Sequence, residues 1–244
     1  MNHYLSPLDI PCHDRLIMAL DVPNADDART LVENLGDSVT FYKVGLELFM
    51  AGDYFGLVGW LKQRGKKVFA DLKFFDVPET VARAVRALQG HGVDFATVHG
   101  NDAIMQAAAA AKGDLKILAV TVLTSLDQGD LQDLGFECEV SALVLSRARR
   151  ALAAGCDGVI SSGLEVPALR REVDHSLLVV SPGIRPVENR HDDDQKRVVT
   201  IEQAFGNGAD YIVVGRPIRD AVDPRQAAEE AQARIARLFG QARS

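Results

Sequence analysis

Asp71, Lys73 and Asp76 place three charges of alternating sign within six residues, in the stretch KVFADLKFFDVPET from Lys67 to Thr80. An ammonium is both a cation and a proton donor, so Lys73 beside Asp71 has the means to stabilise a developing anion and then protonate it. A charge taken out of water is costly unless paired, which points to a network at the mouth of a pocket. The competing reading is a structural ion pair at a strand end. If the strand is one of a parallel set, chemistry is favoured, because the carboxyl ends of such strands carry the functional groups.

The elements that must position these charges are legible on either side. Val68, Phe69 and Ala70 open a strand in which Val68, Ala70 and Leu72 share one face, and Phe69, Asp71 and Lys73 the other. Backbone spacing then sets Asp71 and Lys73 about 6–7 Å apart. Pro78 suits the first turn of a helix, and Val81, Val85 and Leu88 follow on one helical face.

Comparable apolar runs recur near Leu16–Leu20, Thr40–Val44, Phe95–Val98, Lys116–Val120, Gly158–Ser161, Leu177–Val180 and Tyr211–Val214. Nearly continuous hydrophobicity is expected of parallel strands covered on both faces. Between them lie helical patterns such as Ala25–Leu35, Val81–Gln89, Ala103–Lys112 and Val140–Ala154. Eight strand–helix units predict an α/β protein, a (β/α)8 TIM barrel forming a single domain over residues 1–244. A doubly wound open sheet is the alternative, but no G-x-G-x-x-G follows the first run.

The strand ends gather further polar residues. The first run ends in Asp21, and the second carries Lys43 on the same face as Phe41. His99 ends the fourth; a histidine at a barrel rim is more often structural, and no catalytic role is assigned to it. Thr124 and Ser125 follow the fifth, where a helix cap is an equal alternative to ligand contact. After the seventh, Pro182-Gly183-Ile184-Arg185-Pro186 leads into a charge-dense segment, either a solvated connection or a lid that excludes water. The eighth ends in Gly215-Arg216-Pro217. Backbone N–H groups at a helix start, a close backbone approach at glycine and a guanidinium together make a phosphate site, with Pro217 in the first turn of the last helix.

Bulk composition narrows the class. The chain has 244 residues, 47% of them hydrophobic, enough for a large core. A net charge of −7 argues against a nucleic-acid partner, since a phosphate backbone demands a basic face. The first residues lack the apolar stretch of a secretory signal, and no run approaches the roughly 18 residues of a membrane span. Cys12, Cys138 and Cys156 are odd in number and widely spaced, which fits free thiols and a cytoplasmic location. The six histidines show no metal spacing.

Asp71-x-Lys73-x-x-Asp76 followed by Pro78 and Thr80 resembles the signature of the bacterial-type orotidine 5'-phosphate decarboxylases. The wider superfamily, with sugar-phosphate decarboxylases and a hexulose-phosphate synthase, shares that core motif. Lys43 stands where those metal-dependent relatives place a metal-binding glutamate, and Thr124 and Gly183-Ile184-Arg185-Pro186 also favour the orotidine family. The resemblance implies cofactor-free, metal-free decarboxylation of orotidine 5'-phosphate to uridine 5'-phosphate, the last step of de novo pyrimidine nucleotide synthesis. It implies Lys73 as the proton donor to C6, held by Asp71, with Asp21 and Lys43 on the ribose. Thr124 and Gln195 would meet the base, with Gln195 also reaching the phosphate; Arg185 would bind substrate from the lid opening, and Gly215 and Arg216 would hold the phosphate. Asp76 and Thr80 would come from the partner subunit of a homodimer with shared sites. The chain departs from the family pattern in one added residue between Arg185 and Gln195, and in Gly100-Asn101-Asp102 where a glycine pair is common. A metal-dependent sugar-phosphate lyase and a catalytically silent phosphate-binding barrel are the other readings.

Overall fold

A computed structural model describes residues 5–185 and 197–240. Its eight strands are β1 Leu16–Ala19, β2 Phe41–Gly45, β3 Lys67–Phe74, β4 Phe95–Val98, β5 Lys116–Val120, β6 Gly158–Ile160, β7 Leu178–Ser181 and β8 Tyr211–Val214. Each pairs in parallel with its sequence neighbours, and β8 pairs with β1 to close the barrel. The helices are α1 Ala25–Leu35, α2 Leu46–Ala51, α3 Tyr54–Gln63, α4 Pro78–Gly90, α5 Asp102–Ala111, α6 Gln128–Asp133, α7 Val140–Ala153, α8 Val166–Glu172, α9 Ile201–Gly206, α10 Arg216–Arg219 and α11 Pro224–Gly240. The expected (β/α)8 barrel is therefore the observed fold.

Period-two alternation explains how the barrel is filled. Inward residues of the lower layer include Ile17, Phe41, Phe69, Phe95, Leu118 and Tyr211. Phe95 meets Phe41 and Tyr211 edge-on, at centroid distances of 4.9 and 5.2 Å. These rings make a solid floor, so the next inward residue on each strand stands above packed hydrocarbon rather than a channel. The outward residues, such as Val68 and Ala70 on β3, pack beneath the helices. On α4, Val81, Val85 and Leu88 are all buried, as their spacing predicts.

A repeated Gly-x-Asp fixes the lower rim. Gly92, Gly155 and Gly208 end their helices at positive φ (69°, 84° and 103°), a region costly for residues with a Cβ. Two residues on, Asp94, Asp157 and Asp210 accept backbone hydrogen bonds from Val68, Ile117 and Val179 of the preceding strands. Each carboxylate is also paired with a cation, Lys62, Lys112 and Arg170 respectively. The repeat sets three strand registers from the end opposite the pocket.

One expectation needs correction, and one open alternative is closed. Pro217 does not open the last helix; it sits in the short α10, which Asp220 ends before α11 begins at Pro224. Thr124 and Ser125 do not cap a helix, because Asp127 caps α6, accepting from Asp130 N while the Asp130 carboxylate returns to Asp127 N. Thr124 and Ser125 instead line the cavity.

Candidate active site

Above the aromatic floor, at the carboxyl ends of the strands, lies a cavity of about 450 Å³. That is within the usual range for a small-molecule site. Its lining follows alternation: Ala19 then Asp21, Lys43 above Phe41, Phe69 then Asp71, Val213 then Gly215. Lys73, Thr124, Ser125, Arg185, Arg216 and Arg219 complete the polar part of the wall.

The charges of β2 and β3 form a chain. Lys43 Nζ lies 3.0 Å from Asp21 Oδ1 and 3.6 Å from Asp71 Oδ2. Lys73 Nζ donates to Asp71 Oδ1 at 2.8 Å. Burial pushes the Asp71 carboxyl up, but Lys43 and Lys73 outweigh it and hold Asp71 below the ordinary carboxylate range. Burial likewise pushes Lys43 down, and Asp71 and Asp21 outweigh it, so Lys43 lies above the ordinary range. Both groups are charged at neutral pH.

Simple alternation does not account for Lys73. The β3–β4 register shifts between Ala70 and Phe74, and Lys73 adopts φ 48°. A non-glycine residue there is strained, so something must hold it. Thr97 does: its Oγ1 accepts from Lys73 N at 2.9 Å and donates to Asp71 Oδ1 at 2.9 Å. This fully buried hydroxyl was not singled out from the sequence. The signal was available, since period two from the inward Phe95 places Thr97 above the floor beside Asp71.

Arg219 was also missed, three residues beyond Arg216 in α10. Its guanidinium donates to the backbone carbonyl of Asp21, tying the β8 loop to the β1 loop. Gly215 is not forced by φ, and a Cβ there would make only ordinary contacts at 3.5 Å or more. Any need for glycine at this position comes from what enters the cavity.

Asp76 and Thr80 do not join this cluster. Both are exposed and off the cavity wall, and Asp76 Oδ1 accepts from Val77 N at 2.6 Å. Gln195 lies outside the described residues. His99 packs edge-on against Phe75 at 5.6 Å, and burial, with Arg147 and Lys73, lowers its pKa. Gly100 has φ 119°, and a Cβ there would meet Phe75 and Ile104 at 2.8 Å, while Asn101 caps α5. Among the described residues no group of three His, Cys, Asp or Glu could hold a metal.

The arrangement resembles known proteins over nearly its full length. The model of the orotidine 5'-phosphate decarboxylase / HUMPS family matches residues 14–231. The chain belongs to this family. A relative from Methylococcus capsulatus, an orotidine 5'-phosphate decarboxylase, is 75% identical over 98% of this chain and 99% of its own. One from Xanthomonas oryzae with the same name is 51% identical over 98% of this chain and 99% of its own. Among solved structures, the orotidine 5'-phosphate decarboxylase of Lactobacillus acidophilus superposes with a TM-score of 0.80 at 36% identity, covering 91% of this chain and 99% of that one. In this chain Lys43 Nζ lies between the carboxylates of Asp21 and Asp71.

Proposed function

We propose that this pocket decarboxylates orotidine 5'-phosphate to uridine 5'-phosphate and CO2, the last step of de novo pyrimidine nucleotide synthesis, without a metal or cofactor. The observation that carries the reading is Asp71 held ionised between two ammonium groups over an apolar floor. In this reading the C6–carboxylate bond breaks, CO2 leaves, and the electron pair remains on C6. Lys73 stabilises that pair and then donates its proton to C6, recovering one from solvent afterwards. Asp71 orients the ammonium, Asp21 and Lys43 take the ribose hydroxyls, and Thr124 meets the base. Arg185, Arg216 and the backbone at Gly215 take the phosphate. The basic rim these residues give an otherwise acidic chain supports that end.

The site is completed by a second copy of the chain, which supplies Asp76 and Thr80. Two observations support this. Both residues are exposed and turned to no group of their own chain's cavity. The large apolar side chains that flank Asp76 in the chain are exposed as well, Phe75 at 69% and Val77 at 63%. Apolar surface of this kind favours a covered interface. The free thiols of Cys12, Cys138 and Cys156 accord with a cytoplasmic location.

The direct test is to follow loss of the orotate ultraviolet band when the protein meets orotidine 5'-phosphate in excess chelator. Turnover is expected to be unchanged by chelation. Activity that dies with chelator and returns with Mg²⁺ would move the chain to the metal-dependent lyases.

Thr97 gives a second test. Thr97→Val keeps the shape but removes the donor to Asp71 and the acceptor for Lys73 N, leaving buried groups unsatisfied at about 1–3 kcal/mol. A fall in kcat of roughly 10–100-fold is expected, since 1.4 kcal/mol is about tenfold. Thr97→Ser, which keeps the hydroxyl, is expected to recover most of it. Steady-state kinetics in which serine is no better than valine would remove the hydroxyl from this role.

A further inference from the structure

We propose that Arg197 is a positioning residue that fixes the loop carrying Thr124 and thereby sets how tightly the pyrimidine base is held, an inference resting on the substrate reading above. Its guanidinium is largely buried, with 12% of the side chain exposed. Nη1 lies 2.6 Å from Glu165 Oε1, in the loop after β6. Nη2 donates to two carbonyls of the loop after β5, Val122 O and Leu123 O, both at 3.0 Å. Those are the two residues immediately before Thr124.

The backbone around Arg197 is tied as firmly. Ser162 Oγ donates to Arg197 O at 3.4 Å. Two residues on, Val199 pairs with the loop after β7: Val199 N donates to Gly183 O at 3.1 Å, and Arg185 N donates to Val199 O at 3.0 Å. Gly183 and Arg185 both line the cavity. One side chain therefore joins three successive loops of the catalytic face.

The residue type follows from what it must satisfy. Two convergent carbonyls and a buried carboxylate need several donors in a fixed plane, which only a guanidinium presents. Arg147 donates to Thr121 O in the same way, so the carbonyls of Thr121, Val122 and Leu123 all end on arginine. With three consecutive peptides fixed, the position of Thr124 on the cavity wall is fixed by continuity. Without Arg197, Val122 O and the Glu165 carboxylate would lose this partner and Leu123 O would keep only its bond from Leu126 N, so the peptides just before Thr124 would be held less firmly.

A purely structural brace would make a different prediction from a brace that serves base recognition. The experiment compares uridine 5'-phosphate with ribose 5-phosphate, which has the phosphate and sugar but no base. Both are titrated calorimetrically into the full-length wild type, Arg197→Met and Arg197→Lys. Arg197→Met is expected to weaken uridine 5'-phosphate about 10–100-fold, the range for leaving a buried acceptor such as Val122 O unpaired, and ribose 5-phosphate by less than about threefold. KM for orotidine 5'-phosphate is expected to rise by the same factor as the product affinity falls. Arg197→Lys, which keeps the charge for Glu165 and one carbonyl, is expected to lie between methionine and wild type. Equal losses on both ligands, or no loss on uridine 5'-phosphate, would overturn the proposal. Should Arg197→Met melt below the assay temperature, Glu165→Gln replaces it. This variant keeps an acceptor for Arg197 but not the charge, and a loss of about three- to tenfold confined to uridine 5'-phosphate is expected, with the same two outcomes overturning the proposal. A wild type that binds the two ligands equally would instead overturn the substrate reading itself, and this inference with it.

Discussion

Lys73→Ala is expected to lower kcat/KM for orotidine 5'-phosphate by at least about 10⁴-fold. In the proposed mechanism two contributions are lost together: electrostatic stabilisation at the reacting carbon, typically about 10²–10³, and general-acid protonation, typically about 10²–10⁴. The residue is held firmly in place, with Nζ 2.8 Å from Asp71 and its backbone at φ 48° hydrogen-bonded to Thr97. Asp76→Ala is expected to be severely impaired as well, although Asp76 is off the cavity wall of its own chain. Unfolded together in equal amounts and refolded, the two variants form mixed dimers in half of all pairings. Each mixed dimer has one intact site and one doubly damaged site, so about a quarter of wild-type activity returns. Recovery is read against the two variants refolded separately. A mixture as inactive as its parents would place Asp76 in its own chain's site and remove the shared-site reading.

Arg216→Ala is expected to lower kcat/KM by roughly 10–100-fold, although Arg216 would act at the phosphate and far from C6. A charge-assisted hydrogen bond of this kind contributes about 1.5–3 kcal/mol, and about 1.4 kcal/mol is a factor of ten. Interactions at a remote group can drive orientation and desolvation at the reacting centre, so the loss is expected partly in kcat. Orotidine without its phosphate separates gripping from chemistry. It is expected to be a very poor substrate of the wild type and to react about equally poorly with Arg216→Ala. If the mutation harms the nucleoside reaction as much as the nucleotide reaction, Arg216 is not the phosphate anchor.

Gln195 shows one limit of reading such a site from sequence: it was placed by resemblance alone and lies outside the described residues. Thr97 shows another, of a different kind. It was overlooked because threonine in a strand is ordinary, whereas Asp71 and Lys73 stand out as charges in an apolar run. Arg197 and Glu165 are 32 positions apart, in loops with no periodic signal, so nothing in either segment announces their pairing.

The sequence by itself determined the barrel and most of its mouth. Eight apolar runs alternating with helical patterns leave few topologies, because parallel strands need crossovers of one hand, and the missing G-x-G-x-x-G favours the closed barrel over an open doubly wound sheet. Period two then selects Lys43, Asp71 and Gly215 as inward once Phe41, Phe69 and Val213 are inward. These are consequences of local geometry, which the sequence encodes directly. Tertiary structure decided what local geometry leaves open. It bent β3 at Lys73 and supplied Thr97 from β4 to hold the bend. It gave the cap of α6 to Asp127 and put Thr124 on the cavity wall. It also brought Arg197 against the loops after β5 and β6. In each case the deciding contact joins residues distant in the chain. Which buried polar group satisfies which other is settled only when the strands and loops are packed side by side.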